Sequence, residues 1–320
     1  MELGRPNLDV FAETLLEIAS QDRDVLVVTS DSRGSGKLIS FGELLPTQVV
    51  ELGIAEQNVI GISAGLASAG KKVFAVSPAC FITARSFEQI KNDVGYSDQP
   101  VRIIGISAGV SYGALGATHH SLHDYAALRA VNNITIVAPA DNYETRETIR
   151  AIHNSAHPVY VRLGKAPQRH VYTGHDHFTI GKAAIIREGR DLTYIACGET
   201  VSIAVAAADR LEGEGLTCRV LSMHTIRPLD EDAILRAAAE TGAIITVEEH
   251  SIFGGLGEAC AAVILQSGIS LPFKIIGFPD EHMVSGSQLE LFDHYGISPD
   301  GLIQTGRRLV YSKVRSQANW

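Results

Sequence analysis

Residues 51–96 read ELGIAEQNVIGISAGLASAGKKVFAVSPACFITARSFEQIKNDVGY. Within them an apolar run, 72–77, lies between two segments of helical period, 54–69 and 79–95. A strand that is apolar at nearly every position needs cover on both faces, as in a parallel sheet between helix layers. The pattern extends in both directions. Candidate strands at 25–29, 101–107, 135–138 and 159–163 complete a first set, and 192–197, 218–223, 243–248 and 273–278 form a second. Helical periods at 9–20, 142–155, 201–214, 230–240 and 256–266 alternate with them. The fold class is therefore α/β, with two three-layer αβα domains and mostly parallel sheets.

The stretch GKAPQRHVYTGHDHF, 164–178, is polar, carries Gly and Pro and follows neither period, so it reads as a linker. It divides the chain into domains at 1–170 and 179–320. Asp141 and Asp230 precede helical periods and are placed to cap them. The last residues, 312–320, are expected to fray.

Composition narrows the function classes. The 320 residues carry a net charge of −9, which disfavours nucleic acid or an anionic membrane as the main partner. The four cysteines, Cys80, Cys197, Cys218 and Cys260, are widely spaced and read as small buried hydrophobes in a reducing compartment. The opening MELGRPNLDV lacks the apolar core of a signal peptide, and no run approaches the ~20 apolar residues of a membrane span. A cytoplasmic location is the expectation.

Several residues could carry chemistry. Glu56 opens a helical segment, where the helix dipole favours a carboxylate; an ordinary first-turn cap is the plain alternative. The glycine-rich SAGVSYGALGATHHSLHD, 107–124, follows a buried strand and presents His119, His120 and His123. A metal site of His119, His123 and Asp124 is one reading, a substrate loop offering one imidazole another, and solvated loop histidines a third. Arg162 ends an apolar strand and can grip a phosphate with two N–H groups or form an interdomain ion pair. Phe81 alone reads as core. The GGLGE string, 254–258, lacks both the dinucleotide spacing and a Walker lysine, so nucleotide binding is not expected.

Taken together, ELGIAEQNVIGISAGLASAG, FITARSFEQIKNDVGY, GATHHSLHD, IVAPADNYETRETIRA, VYVRLGK, MHTIRPLD and TVEEHSIFGGLGE resemble, in order, the pyrimidine-binding and C-terminal parts of thiamine-diphosphate-dependent transketolases. The resemblance covers nearly the whole chain. It implies that Glu56 bonds N1′ of the cofactor's aminopyrimidine and that Phe81 stacks on that ring. It further implies that His119 contacts donor-sugar oxygens and Arg162 the substrate phosphate, with Asp31 near the cofactor. The family's Gly-Asp-Gly motif, which binds Mg²⁺ and the diphosphate, does not occur in this sequence. The chain thus resembles the C-terminal subunit of a split transketolase. A second polypeptide would supply the metal ligands, in an α2β2 assembly.

One departure concerns substrate. Where transketolases usually have an aspartate ahead of the loop histidine, this chain has Leu115 in Ala114-Leu115-Gly116-Ala117-Thr118-His119. Loss of an acceptor for a donor hydroxyl changes discrimination among sugars, which points to a branched or modified ketose phosphate resembling apulose 4-phosphate. The expected activity is transfer of a two-carbon ketol unit from a ketose phosphate to an aldose. Alternatives are a 1-deoxyxylulose-5-phosphate-synthase-like enzyme, a 2-oxoacid dehydrogenase E1 β subunit, a catalytically silent scaffold or a nicotinamide oxidoreductase.

Overall fold

The computed structural model describes residues 1–172 and 177–317, with side chains through Tyr311. Two sheets organise the chain. The larger has the order Thr225–Arg227, Thr135–Val137, Val159–Leu163, Arg102–Ile106, Lys72–Pro78, Val25–Thr29, Val49–Glu51. Every pairing in it is parallel except the first. The second sheet runs Phe273–Phe278, Ile244–Ser251, Leu192–Ala196, Cys218–Ser222, Ala184–Arg187, and only its last pairing is antiparallel.

The strands form where the sequence is apolar throughout, and helices cover both faces. Arg102–Ile106 and Val159–Leu163 are buried at every position, polar members included. Helix Asn7–Gln21 closes one face of the first sheet with Leu8, Phe11 and Leu15, against Phe74, Ile104 and Val161. Helix Glu56–Ser68 closes the other with Val59 and Ile60, against Val73 and Ile103. Each such side chain taken from water contributes about 1.5–3 kcal/mol. Asp141 caps Asn142–Ile152 by accepting from Tyr143 N at 3.0 Å and Glu144 N at 3.1 Å. Asp230 caps Glu231–Glu240 through Ala233 N at 3.2 Å. Both caps fall where the sequence places them.

The structure corrects three expectations. The helix expected at 79–95 is broken: Ala79–Arg85 ends at Ser86, and Ile90–Tyr96 is wound as a wider π turn. Ser86 Oγ donates to the Ile82 carbonyl, a local bond that competes with helix continuation. The expected linker is partly a strand, because Pro167–Arg169 pairs with Leu3–Pro6; residues 173–176 of that stretch lie outside the described ones. The last helix, Pro299–Gln317, runs well past the expected fraying point at 312, and 318–320 lie outside the described residues.

The two sheets also share chain. Thr225–Arg227, from the second half, adds an antiparallel edge to the first sheet beside Thr135–Val137. Arg129 donates to the Gly255 carbonyl at 2.8 Å, and Ser251 N to the Leu122 carbonyl at 3.1 Å. The loop after Arg102–Ile106 is thereby tied to the second half.

Candidate functional site

The carboxyl ends of parallel strands are where ligand-binding loops gather. Here the neighbouring strands Val159–Leu163, Arg102–Ile106, Lys72–Pro78, Val25–Thr29 and Val49–Glu51 deliver five loops to one edge. After Val49–Glu51 the backbone passes through Gly53 at φ +70°, a conformation glycine adopts without penalty, and enters helix Glu56–Ser68. Glu56 is the first helical residue and is 4% exposed. Its Oε2 accepts from Arg85 Nη1 at 3.0 Å, and no bond to its own first-turn amides occurs among the described contacts. The carboxylate is thus tied to Arg85 rather than to the amides of its own helix.

Phe81 and Arg85 share helix Ala79–Arg85, which follows Lys72–Pro78 directly. Residues four apart lie on one helix face, and the Arg85 guanidinium rests over the Phe81 ring, 4.0 Å from its centre. One planar cation thus touches both the Glu56 carboxylate and the Phe81 face. Ile54, Ala55, Gln57 and Asn58 join Glu56 and Arg85 around an open recess of about 470 Å³.

The histidine loop supplies the next part. His119 meets the Phe81 ring edge-on at 5.3 Å and the Tyr112 ring edge-on at 5.4 Å. Its Nδ1 lies 3.0 Å from Thr118 Oγ1. Lys165, two residues beyond Val159–Leu163, places its Nζ 4.8 Å from the centre of the Tyr112 ring. An unbroken row of contacts thus crosses the sheet edge from Glu56 through Arg85, Phe81, His119 and Tyr112 to Lys165.

The other histidines go elsewhere. His120 is buried with its Nε2 3.0 Å from the Gly113 carbonyl, and burial lowers its pKa. His123 Nε2 lies 3.2 Å from Thr83 Oγ1. Asp124 is committed to Arg162 at 3.0 Å and Tyr160 Oη at 2.7 Å. The metal reading of His119, His123 and Asp124 is overturned by those commitments; no group of three such ligands occurs among the described residues. Leu115, 58% exposed, lies in the turn Gly113–Leu115 of the same loop.

Arg162 is not where a phosphate could reach it. It is buried, ion-paired to Asp124, and donates to Tyr125 Oη at 3.0 Å, the Ser121 carbonyl at 3.1 Å and the Glu249 carbonyl at 2.5 Å. The ion pair it forms is within the first half, to Asp124, and its contact with the second half is a hydrogen bond to the Glu249 carbonyl. A guanidinium out of water needs compensation, and here its Nη groups find hydrogen-bond acceptors while Nε lies against the Asp124 carboxylate. Asp31 is exposed at the end of Val25–Thr29, and no hydrogen bond or ion pair links it to Glu56 among the described residues.

Beneath the histidine loop lies a pair of acids joined by one amide. Gln288 Nε2 donates to Glu199 Oε2 at 2.8 Å and Glu249 Oε1 at 2.9 Å, and Val110 N also donates to Glu249 Oε1, at 2.9 Å. Burial, and then the charge of Glu249, push Glu199 up to about 8; burial raises Glu249 as well. His250 stacks on Tyr125 at 4.8 Å, and burial lowers its pKa to about 4. These groups bind the loop to the second half rather than facing a ligand.

The structure brings Glu56, Phe81 and His119 into one row and adds three residues that sequence reading missed, Arg85, Tyr112 and Lys165. Arg85 was recoverable, since the i, i+4 spacing from Phe81 sets both on one face. Tyr112 and Lys165 have no such local signal; only the sheet order brings them side by side.

Comparison with known proteins places this fold. Residues 6–169 match the pyrimidine-binding domain of transketolase, and residues 181–302 match the transketolase C-terminal domain. Over 301 residues the chain is 50% identical to one of the subunits of apulose-4-phosphate transketolase from Phocaeicola vulgatus, covering 94% of this chain and 96% of that protein. It is 34% identical over 311 residues to 1-deoxy-D-xylulose-5-phosphate synthase of Heliobacterium modesticaldum, covering 96% of this chain but 48% of that enzyme. Among solved structures, a split-gene transketolase described as an inactive β4 tetramer superposes with a TM-score of 0.88 at 30% identity, covering 96% of this chain and 99% of that one.

Proposed function

This chain belongs to the transketolase family, and we propose from that membership that it is the C-terminal subunit of a split transketolase that moves a two-carbon ketol unit from a ketose phosphate to an aldose. One observation carries the reading. The flat Arg85 guanidinium touches the Glu56 carboxylate and the Phe81 face together, the two contacts a planar aminopyrimidine would need. The residues present therefore fit thiamine diphosphate. When bound, that cofactor supplies the carbon nucleophile and the electron sink for breaking and remaking a C–C bond.

The chain's own residues do the rest. Glu56, held at a helix start in a mostly buried position, receives the ring nitrogen and holds a proton there. Phe81 fixes the ring plane. His119, between Phe81 and Tyr112, is aimed at the oxygens of a sugar entering beside that ring, where an imidazole can take or give a proton. Asp31 belongs to the same reading as a peripheral cofactor contact.

A second polypeptide is part of the proposal. Ile54, 74% exposed just before the Glu56 helix, and Ile62, 39% exposed within it, would be covered by an amino-terminal subunit bearing Gly-Asp-Gly and the Mg²⁺ ligands. The assembly would be α2β2 and cytoplasmic, with domains divided at 1–170 and 179–320. No described helix is long and apolar enough to cross a membrane. Leu115 supports a modified donor of the apulose 4-phosphate kind, because an apolar side chain stands where a hydroxyl acceptor is usual.

The test is co-expression with a Gly-Asp-Gly chain, then calorimetric titration of thiamine diphosphate with Mg²⁺ and a ketose-phosphate donor screen. Cofactor binding by the pair and ketol transfer to an aldose are expected. A well-folded pair that binds no cofactor would sink the reading, and CO₂ release from pyruvate would redirect it to synthase chemistry.

A further inference from the structure

We propose that Gln288, in the second half of the chain, is a positioning residue for His119. It bridges Glu199 and Glu249, and Glu249 in turn holds the base of the histidine loop. The inference rests on the ketol-transfer reading above for the role of His119, and adds the part of the molecule that fixes where that ring stands.

The loop is gripped from the second half at three successive points. At Gly109 the backbone turns through φ +60°, and a Cβ there would collide with the Glu249 carboxyl, so the carboxylate packs directly on the chain. The next amide, Val110 N, donates to Glu249 Oε1 at 2.9 Å. The Val110 side chain is fully buried and belongs to the same apolar cluster as Ala196, Val247 and Leu291 of the second half. At Gly113 the loop passes the segment that leads into helix Gln288–His294, where a Cβ would meet the Gly286 carbonyl at 3.2 Å.

This grip reaches His119 because the loop is bonded to itself. Gly113 N donates to the Val110 carbonyl at 2.7 Å, Leu115 N to Tyr112 at 3.2 Å and His119 N to Gly116 at 2.9 Å. Ser121 N donates to the Gly109 carbonyl at 2.7 Å and closes the loop on its base. A segment bonded in this way moves as one piece, so a shift of Glu249 is passed to the ring that meets Phe81 edge-on.

Gln288 fixes Glu249. The Glu249 side chain is buried, and its Oε1 accepts from Gln288 Nε2 as well as from Val110 N. The other N–H of the same amide goes to Glu199 Oε2, at 2.8 Å. One amide nitrogen carries two N–H groups and no charge, which matches two carboxyl groups held side by side away from water. Gln288 opens its helix directly after Ser287, whose cap is closed by Glu290, so the bridging side chain leaves a fixed backbone.

Gln288→Met, which keeps the bulk and removes both donors, tests this in the complex with the amino-terminal subunit. Gln288→Asn, with the amide on a shorter stem, is the milder substitute if that variant does not assemble. Hydrogen–deuterium exchange reads the loop without turnover. Gln288→Met should speed exchange of the 110–121 amides about tenfold, as loss of a buried hydrogen bond does, and leave helix Glu56–Ser68 unchanged. In turnover of apulose 4-phosphate with ribose 5-phosphate it should lower kcat about tenfold, with the Kd for thiamine diphosphate within about twofold of wild type. In a His119→Asn background the same change should cost less than about twofold, because the effect runs through that ring. Unchanged loop exchange, a loss that persists in full without His119, or cofactor affinity that falls alongside would overturn the proposal. Faster loop exchange in the variant of a complex that transfers no ketol unit even as wild type would instead sink the activity and leave the positioning device standing.

Discussion

Two arginine–carboxylate pairs in this chain have the same separation, 3.0 Å, and opposite fates. Arg85 reaches Glu56 from a half-exposed position, with Phe81 beneath it. Arg162 meets Asp124 in the interior, where tyrosine hydroxyls and backbone carbonyls satisfy what remains of both. Distance alone does not distinguish chemistry from architecture. A pair with one partner open to solvent can be exchanged for a ligand at smaller cost than a pair buried on both sides, whose arginine here also reaches the second half through the Glu249 carbonyl.

Substitution separates the two pairs. The largest stability effect should come from Arg162→Ala, which strands Asp124 in the interior and is expected to cost about 3–5 kcal/mol in urea unfolding. A loss below about 1 kcal/mol would mean that the interior tolerates the orphaned carboxylate. Glu56→Gln probes the open pair by activity. It should lower ketol transfer about 10²–10⁴-fold, with melting temperature nearly unchanged, as expected when a proton-handling group is lost. Turnover equal to wild type would remove Glu56 from the chemistry and favour the scaffold alternative.

A smaller effect probes the buried side. Glu199 titrates near 8 in the fold against an ordinary value near 4.5, so between those pH values the folded chain holds a proton the unfolded chain has released. The contribution of this group to stability therefore falls as pH rises from about 5 to 8, by up to about 1.4 kcal/mol per pH unit. Glu199→Gln should flatten that slope in urea titrations between about pH 5 and 9, and an unchanged slope would count against a neutral Glu199. The least expected change is in Arg85→Ala: a half-exposed pair should contribute no more than about 1 kcal/mol to unfolding. A loss matching that of Arg162→Ala would erase the distinction between the two pairs.

The legible part of the site was the part encoded locally. Glu56 stands at a helix start and Phe81 at a strand-to-helix junction, both visible as changes of period. His119 lies beside Phe81 in the fold, but the chemistry of the loop alone did not separate it from His120 and His123; only the family resemblance did. The physical difference among the three appears only in the fold, where Gly113 and Thr83 take the other two rings. The strand Thr225–Arg227 was missed because a three-residue edge carries too little pattern and pairs across the two halves.

Apolar period and helix-start chemistry, acting over a few neighbouring residues, were enough to specify a two-sheet α/β chain whose loops collect at strand ends and in which a glutamate opens one of the helices there. They were not enough to say which cations stay at the surface. Arg162 closes on Glu249, 87 residues further on, and is lost to the interior, while Lys165, three positions later, emerges beside Tyr112. A cation's role is set by what remains unpaired around it, and that depends on groups the chain brings together only when both sheets are in place.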